Sequence, residues 1–198
     1  MDNFWDQRFS EVDWVYGLEP NVYVKEKLDL LPPGKVLFMA EGEGRNAIYA
    51  AQQGWDVCAI DQSIVGKEKT LNRAEELDVT INYQIGNVLD YQLKGKELFD
   101  VIVLCFIHLP SSVRRTFHQS LRPLLKDGGR VILEGYRPEQ LDYGTGGPKS
   151  LDMLYTIEEL TEDFAQFSKT DIVENERILA EGNYHKGQSA LVEGIIIK

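Results

Sequence analysis

Residues 36–47, VLFMAEGEGRNA, contain the turn that decides the fold. An apolar run leads into two glycines, Gly42 and Gly44, and a helical pattern begins immediately after them. Glycine permits backbone angles that other residues avoid, and it allows a ligand to approach the main chain closely. A strand that turns into a helix in this way also directs the free N–H groups of the helix towards such a ligand. The stretch therefore predicts the floor of a ligand site.

Short apolar strands alternate with helical patterns beyond this turn. Several strands are rich in Val, Ile and Leu on both faces, which is typical of parallel strands covered by helices on both sides. This order predicts an α/β fold with a doubly wound sheet and right-handed crossovers. The predicted strands are Lys35–Ala40, Asp56–Ile60, Thr80–Ile85, Phe99–Phe106 and Gly129–Tyr136, and the predicted helices are Arg45–Gln53, Ile64–Leu77 and Ser112–Leu125.

The two ends of the chain depart from this alternation. Residues 1–31 carry three aromatic anchors and then a helix that is predicted to start near Asn21, so we interpret them as a lid and a helix. At the other end, Thr170–Ala180 and Gln188–Ile197 predict a hairpin around the turn 181–187. The last of seven strands then runs antiparallel to the others. We expect one domain that spans residues 1–198, a length that suits a substantial core.

Composition restricts the function. The net charge is −11, and such an acidic surface repels phosphate backbones, so we expect no nucleic-acid partner. The N-terminus lacks the pattern of a signal peptide, and no apolar run approaches the roughly 20 residues that cross a bilayer. Cys58 and Cys105 lie in strand patterns without metal-ligand spacing, so we expect no metal site. These features predict a cytoplasmic protein without a membrane partner, and they leave its oligomeric state open.

A carboxylate strengthens the interpretation of the glycine turn. Gly42-Glu43-Gly44-Arg45-Asn46-Ala47 fits the GxGxxG/A pattern of dinucleotide sites, and Asp61 ends the next strand. A carboxylate at that point can accept hydrogen bonds from both hydroxyls of a ribose. The alternative is that Asp61 caps the following helix, although Ser63 is also available for that role. A nicotinamide dinucleotide and S-adenosylmethionine both carry such a ribose.

The sequence resembles the tellurite-resistance-type and thiopurine-methyltransferase-like branch of the class I S-adenosylmethionine methyltransferases over nearly its whole length. A terminal antiparallel hairpin after parallel strands is typical of that Rossmann-like methyltransferase fold. The resemblance implies S-adenosylmethionine as the methyl donor and a small-molecule acceptor, such as a thiol or a selenium or tellurium species. It rests on WDQRF from Trp5, Tyr16-Gly17, Pro20-Asn21, the GEGRNA loop, Asp61-Gln62-Ser63, FIHLP with Arg114 and His118, GTGGP from Gly144 and the HKG at His185.

The same resemblance implies a set of donor-binding residues. They are Arg8, Trp14, Ala40, Glu41, Gly42, Gly44, Asp61, Gln62, Asn87, Val88 and Cys105. Arg8 is expected to pair with the methionine carboxylate of the donor, or else with Asp6 or Glu11.

The chain departs from the family pattern at several positions. Phe38 stands where the family usually has an acidic residue, and Ala40 replaces the first glycine. Glu41 is then expected to meet the methionine ammonium, although Glu41 or Glu43 could equally be solvated. Asn87 stands where an acidic residue is usual, with Asp90 as the other candidate there.

Two of the three histidines are candidate catalytic residues. His108 follows the fourth strand at the sheet edge where ligands bind, or it is a loop histidine satisfied by backbone groups. His185 lies after a strand that should run parallel to the others, so it returns to the same edge and could face the methyl acceptor. The alternative is that His185 only closes the hairpin. His118 lies within a predicted helix and is interpreted as a surface or packing residue.

The sequence thus predicts a small-molecule methyltransferase that uses S-adenosylmethionine. Two other functions stay open at this point. One is a nicotinamide-dependent reductase on a Rossmann fold, and the other is an adenosyl-ligand-binding protein without catalytic activity.

Overall fold

The computed structural model describes residues 4–91 and 98–198, so the first three residues of the predicted lid lie outside the described chain. The described residues form one seven-stranded sheet with the order β3-β2-β1-β4-β5-β7-β6. Strand β7 pairs antiparallel with both β5 and β6, and the remaining pairs are parallel. The predicted fold class, with its antiparallel last strand, is confirmed. The strands are β1 Lys35–Met39, β2 Asp56–Asp61, β3 Ile81–Ile85, β4 Phe99–Cys105, β5 Leu125–Tyr136, β6 Lys169–Glu181 and β7 His185–Ile197.

Helices cover both faces of the sheet because the strands are apolar on both sides. Along β1, Val36 and Phe38 pack with helices α2, α3 and α4, whereas Leu37 and Met39 face the layer that contains α5 and α7. Because successive side chains of a strand point to opposite faces, this short strand contributes to the hydrophobic core on each side of the sheet. The helices are α1 Phe4–Phe9, α2 Val22–Asp29, α3 Arg45–Gln52, α4 Ile64–Glu76, α5 Ser111–Ser120, α6 Gln140–Tyr143 and α7 Ile157–Asp163. Within residues 4–91 and 98–198, none of them is long and apolar enough to span a membrane.

The predicted helix Ser112–Leu125 is too long. Helix α5 ends at Ser120, and a short 3₁₀ turn, Arg122–Leu124, follows it. Pro123 explains the difference, because proline has no N–H to continue an α-helix. Leu125 then belongs to β5, which begins four residues before the predicted Gly129.

The C-terminal hairpin is tighter than predicted. Glu181 and His185 are cross-strand partners, and His185 is the first residue of β7 rather than part of a seven-residue turn. Because β6 runs parallel to the inner strands, this turn lies at their carboxyl ends, as the sequence predicted. Helix α2 begins after Asn21, whose side chain accepts a hydrogen bond from the N–H of Val24 and so caps the helix where predicted.

Candidate active site

One cavity lies at the carboxyl ends of the parallel strands, and most of the predicted site residues are on its walls. The turn after β1, the end of β2 and the end of β4 meet there, as expected for an open α/β sheet. Residues that are far apart in the chain thus come together at one edge of the sheet. The predicted residues that line the cavity are Ala40, Glu41, Gly42, Asp61, Gln62, Asn87, Val88, Cys105, His108 and His185.

Three predicted residues lie outside this lining. The Arg8 guanidinium stacks 3.8 Å from the ring centre of Tyr184, and its Nε lies 3.3 Å from a carboxylate oxygen of Glu11. Trp14 borders a separate, smaller cavity. Gly44 caps α3 with a φ of 83°, and a Cβ there would lie 2.2 Å from Thr70 on α4, so this glycine allows two helices to approach closely. The structure thus pairs Arg8 with Glu11, the alternative that the sequence left open.

The glycine loop, residues 40–44, is joined to β2 through Asp61. The Asp61 carboxylate accepts one hydrogen bond from the N–H of Gly42 at 3.0 Å and another from the N–H of Ser63 at 2.8 Å. Ser63 caps α4 through its own hydroxyl, so the cap does not depend on Asp61. Burial raises the pKa of Asp61 above its ordinary value, although these backbone donors oppose that shift. A carboxylate has further lone pairs beyond these two contacts, which a ligand in the cavity can use.

Ala40 explains one departure from the family pattern. Its φ of 51° is in the left-handed region, where residues with a Cβ are uncommon. The family's glycine would adopt this angle without strain. The loop therefore keeps the expected backbone path although the glycine is missing.

The two glutamates of the loop have different surroundings. Glu41 accepts a hydrogen bond from the N–H of Ala47 at 2.7 Å, in the first turn of α3, and burial raises its pKa to about 7. Glu43 is turned towards the N-terminal segment, where its carboxylate accepts from the N–H groups of Val15 and Tyr16. Neither glutamate is simply solvated.

Asn87 follows β3 and lines the cavity beside Val88. Its side-chain oxygen accepts a hydrogen bond from the N–H of Leu89 at 3.0 Å, which caps a 3₁₀ turn from Val88 to Asp90. A carbonyl oxygen has two lone pairs, so this contact leaves one for a ligand. Asp90 does not line the cavity.

His108 borders the cavity, but backbone groups engage both of its ring nitrogens. Nδ1 lies 2.7 Å from the carbonyl oxygen of Met153, and Nε2 accepts from the N–H of Tyr136 at 3.2 Å. Burial lowers the pKa of this imidazole to about 4. The ring is therefore neutral, with its proton on Nδ1, and has no free lone pair for chemistry. This arrangement is the backbone-satisfied alternative, and it leaves His108 no ring nitrogen for catalysis.

His185 has a different environment. Its Nδ1 is buried without a hydrogen-bond partner and lies 3.6 Å from a carboxylate oxygen of Glu181. Glu181 is in turn held by the Arg45 guanidinium at 2.7 Å and by the side-chain amide of Asn21 at 3.0 Å. Burial lowers the pKa of His185 below its ordinary value. For Glu181, burial alone would raise the pKa, but His185 and Arg45 outweigh it and bring it down to about 2.

This arrangement can accept a proton at a buried position. A neutral imidazole beside an ionised carboxylate can take a proton, because the positive charge that forms is next to a negative one. The rings of Tyr16 and Phe106 flank His185, with centres 4.6 and 4.2 Å from its own. Burial raises the pKa of the Cys105 thiol well above its usual range, so this neighbour stays protonated.

Sequence reasoning missed Glu181, Arg45 and Phe106 as site residues. Arg45 and Glu181 are 136 positions apart, so no local pattern could pair them. The topology could have identified Glu181. Because β6 is predicted to run parallel to the inner strands, its last residue lies at the edge of the sheet that forms the cavity. Phe106 has a φ of 54°, which the sequence does not indicate.

Residues 36–129 match a family model described as a methyltransferase domain. The matched part is just under half of the chain. The match and the fold support an S-adenosylmethionine-dependent methyltransferase. They do not favour the nicotinamide-dependent reductase that the sequence had left open. None of the curated proteins matches this sequence significantly.

Solved structures of low sequence identity share the fold of this chain. One comes from work on the conversion of a disulfide bond into a thioacetal group during echinomycin biosynthesis, with 16% identity over 98% of this chain and 90% of the other, and a TM-score of 0.75. TehB from Haemophilus influenzae is 17% identical over 98% of this chain and 67% of its own, with a TM-score of 0.72. Magnesium protoporphyrin IX methyltransferase (ChlM) from Synechocystis PCC 6803, solved with bound S-adenosylhomocysteine, is 16% identical over 87% and 81%, with a TM-score of 0.63.

Proposed function

We propose that the protein transfers the methyl group of S-adenosylmethionine to a small soft nucleophile. The observation that carries this proposal is one cavity with two kinds of wall. The glycine loop and Asp61 form one side, and His185, with Glu181 3.6 Å from its Nδ1, lies beside the other. The first side has the chemistry of a nucleoside site, and the second has a group that can accept a proton.

Donor binding is assigned to the wall formed by β1, β2 and β3. Asp61 accepts hydrogen bonds from the ribose hydroxyls, and Gly42 allows the donor to approach the main chain. Asn87, Val88 and Gln62 border the adenine, and Glu41 meets the methionine ammonium. Charge-assisted hydrogen bonds of this kind are the stronger ones in proteins.

His185 is the proposed proton acceptor on the other wall. When bound, S-adenosylmethionine supplies a methyl group that is already activated as part of a sulfonium. The chain's task is then to align the acceptor, exclude water and remove its proton. His185 takes that proton, and Glu181 stabilises the resulting imidazolium. Arg45 and Asn21 hold Glu181 in place, in the manner of an acid that orients a catalytic histidine.

The walls near His185 suit a soft acceptor. Tyr16 and Phe106 present aromatic rings, with which sulfur makes favourable contacts. Arg45 is the cation on the cavity lining within the described residues, and it is neutralised by Glu181. We therefore propose thiols, or selenium and tellurium species of similar softness, as acceptors, in line with a place in the tellurite-resistance-type branch. We also propose a cytoplasmic location, because both cysteines are free and that compartment keeps thiols reduced.

Two measurements test this function. Calorimetry should show that the protein binds S-adenosylhomocysteine and does not bind NADH. Transfer of labelled methyl from S-adenosylmethionine is then measured with thiophenol, phenol and aniline, which differ in the nucleophilic atom. Thiophenol should be methylated and the other two should not. Equal rates on phenol or aniline would remove the soft-acceptor assignment, and failure to bind S-adenosylhomocysteine would remove the donor itself.

A further inference from the structure

An N-terminal segment, residues 4–17, covers the cavity, and we call it the strap. Its aromatic side chains Trp5, Phe9 and Tyr16 line the cavity. Phe9 lies on the glycine loop, since a Cβ added to Gly42 would be 2.8 Å from its ring. Tyr16 packs against His185. The strap therefore touches both the donor wall and the acceptor wall.

A lysine on α4 binds the strap at two points. The Lys69 ammonium donates to the carbonyl oxygen of Phe9 and, at 2.7 Å, to that of Val12. It also forms an ion pair with Glu43 at 2.8 Å. An ammonium has three hydrogen-bond donors, and these three acceptors use all of them.

Glu43 completes the attachment from the glycine loop. Its other carboxylate oxygen accepts from the N–H of Val15 at 2.9 Å and from that of Tyr16 at 3.4 Å. The Glu43 side chain is only 3% exposed, so this charge depends on its partners. Removing one member of a buried ion pair leaves the other charge uncompensated, which is strongly unfavourable.

We propose that Glu43 and Lys69 form a latch that holds the strap closed over the bound donor. The latch then sets the rate at which the donor enters and leaves the cavity. They are positioning residues, since they act through Phe9 and Tyr16 and not on the reacting atoms. The inference rests on the proposed function in taking the adenosyl donor as the occupant of the cavity. It gives Glu43, the central residue of Gly42-Glu43-Gly44, a role that needs no contact with the ligand.

Other contacts hold the strap at groups that the latch does not reach. Asp6 accepts from the Ser63 hydroxyl at 2.6 Å, and the N–H of Asn183 donates to the carbonyl of Val15 at 2.8 Å. These contacts attach the strap near its start and at the Val15 carbonyl. Lys69 and Glu43 hold the stretch from Phe9 to Tyr16 against α4 and the glycine loop.

The test compares Lys69→Met with Lys67→Met. Lys67 lies two residues earlier on α4 and faces another side of the helix, so the same chemical change there removes none of the three contacts of Lys69. Hydrogen exchange of the Val15 and Tyr16 amides is measured in the ligand-free protein. Dissociation of S-adenosylhomocysteine is followed by stopped-flow tryptophan fluorescence. In Lys69→Met we expect both rates to rise at least tenfold, with exchange in β1 and β4 unchanged, and Lys67→Met should match the wild type.

Each contrary result is informative. Val15 and Tyr16 amides that exchange within twofold of the wild-type rate would overturn the latch, whether or not any ligand binds. If the Val15 and Tyr16 amides exchange faster but S-adenosylhomocysteine dissociates at the wild-type rate, the latch does not control the exchange of the donor. Glu43→Gln removes the same ion pair from the loop side and replaces Lys69→Met if that variant does not fold, with the same expected rates. Wild-type protein that does not bind S-adenosylhomocysteine would overturn the proposed function, and the exchange data would still decide whether the strap is latched.

Discussion

Asp61 is held by the main chain on two sides. The N–H groups of Gly42 and Ser63 fix the carboxylate between the glycine loop and α4, so its position is set before any ligand arrives. Preorganised acceptors of this kind bind without loss of side-chain freedom. The same two contacts make Asp61 part of the local structure as well as the proposed ribose site.

Asp61→Ala should therefore lower both affinity and stability. Each lost hydrogen bond to a charged acceptor is worth about 1.5–3 kcal/mol, so affinity for S-adenosylhomocysteine should fall at least tenfold. Two buried N–H donors also lose their acceptor, which should cost about 1–3 kcal/mol each in the free energy of unfolding. Calorimetry and thermal unfolding measure the two effects. Asp56→Ala, at the exposed start of the same strand, is the control. Unchanged affinity would show that Asp61 has only the structural role.

His185→Ala should lower turnover and leave donor binding intact. A positioned acid or base typically contributes about 10²–10⁴ to the rate, so a loss within that range is expected with an active acceptor. S-adenosylhomocysteine affinity, measured on the same preparation, should change little because the donor contacts lie on the opposite wall. Turnover within about twofold of the wild type would assign His185 to the hairpin alone.

The pH profile gives a second test of His185. Burial lowers its pKa below the ordinary value of 6.5, so the base is mostly neutral at pH 7 and becomes protonated as the pH falls. Glu41 itself titrates near neutrality, so kcat/KM for the acceptor is measured with the donor saturating, where it should be level near neutrality and fall on the acid side. Glu181→Gln removes a neighbouring negative charge and frees the positive Arg45, and both changes disfavour the imidazolium. The acid limb of the profile should move to lower pH in this variant. A limb that stays in place would show that Glu181 does not stabilise the His185 imidazolium.

At the scale of elements, the glycine loop can be tested with a matched pair of glycines. Gly42 and Gly54 both have positive φ, 64° and 86°. A Cβ at Gly42 would meet Phe9 of the strap at 2.8 Å, whereas none of the described atoms lies within 4 Å of a Cβ at Gly54. Gly42→Val and Gly54→Val therefore share the backbone strain and differ in the clash. Calorimetry should show no S-adenosylhomocysteine binding by Gly42→Val and near-normal binding by Gly54→Val. Equal binding by the two variants would show that the glycine loop is only a turn and does not contact the donor.

The elements that the sequence predicted well are those with local causes. Apolar runs on both faces predicted the parallel strands, and the glycine turn predicted the start of α3 at Arg45. Pro123 is also a local signal, and it marks the end of α5. The apolar pattern on both sides of it nevertheless predicts a helix that is too long. The contacts of Asp61 with Gly42, and of Arg45 with Glu181, depend on the packed sheet. No spacing within one element could have predicted them.

At the scale of the whole molecule, a buried carboxyl should make stability depend on pH. Glu134, on β5, accepts from the side chains of Asn21 and Arg177, so it links the start of α2 to β5 and β6. Burial raises its pKa from 4.5 to about 8, although Arg177 opposes the shift. Between these values the folded protein keeps a proton that the unfolded chain releases. Its contribution to stability is thus full below pH 4.5 and is lost as the pH rises through about 8.

Glu134→Gln removes this titration. Whatever offset the substitution causes at pH 5, the free energy of unfolding of the wild type should fall relative to that of the variant between pH 5 and pH 8.5. Glu41 titrates in the same range, but it is present in both proteins and cancels in the difference. Chemical denaturation at the two pH values measures the change. Parallel stability curves would show that Glu134 is ionised throughout.

The position of β7 has a consequence for synthesis of the chain. Strand β7 lies between β5 and β6, and on that side of β5 the residues from Arg130 to Tyr136 pair with the residues from Leu191 to Ile197. The paired residues are 55–67 positions apart. At translation rates of about 5–20 residues per second, this apolar edge of β5 therefore waits roughly 3–13 s without its neighbour. Unpaired strand edges of this kind recruit other chains. The nascent protein is therefore most open to aggregation, and to capture by chaperones, in the interval before its final strand leaves the ribosome.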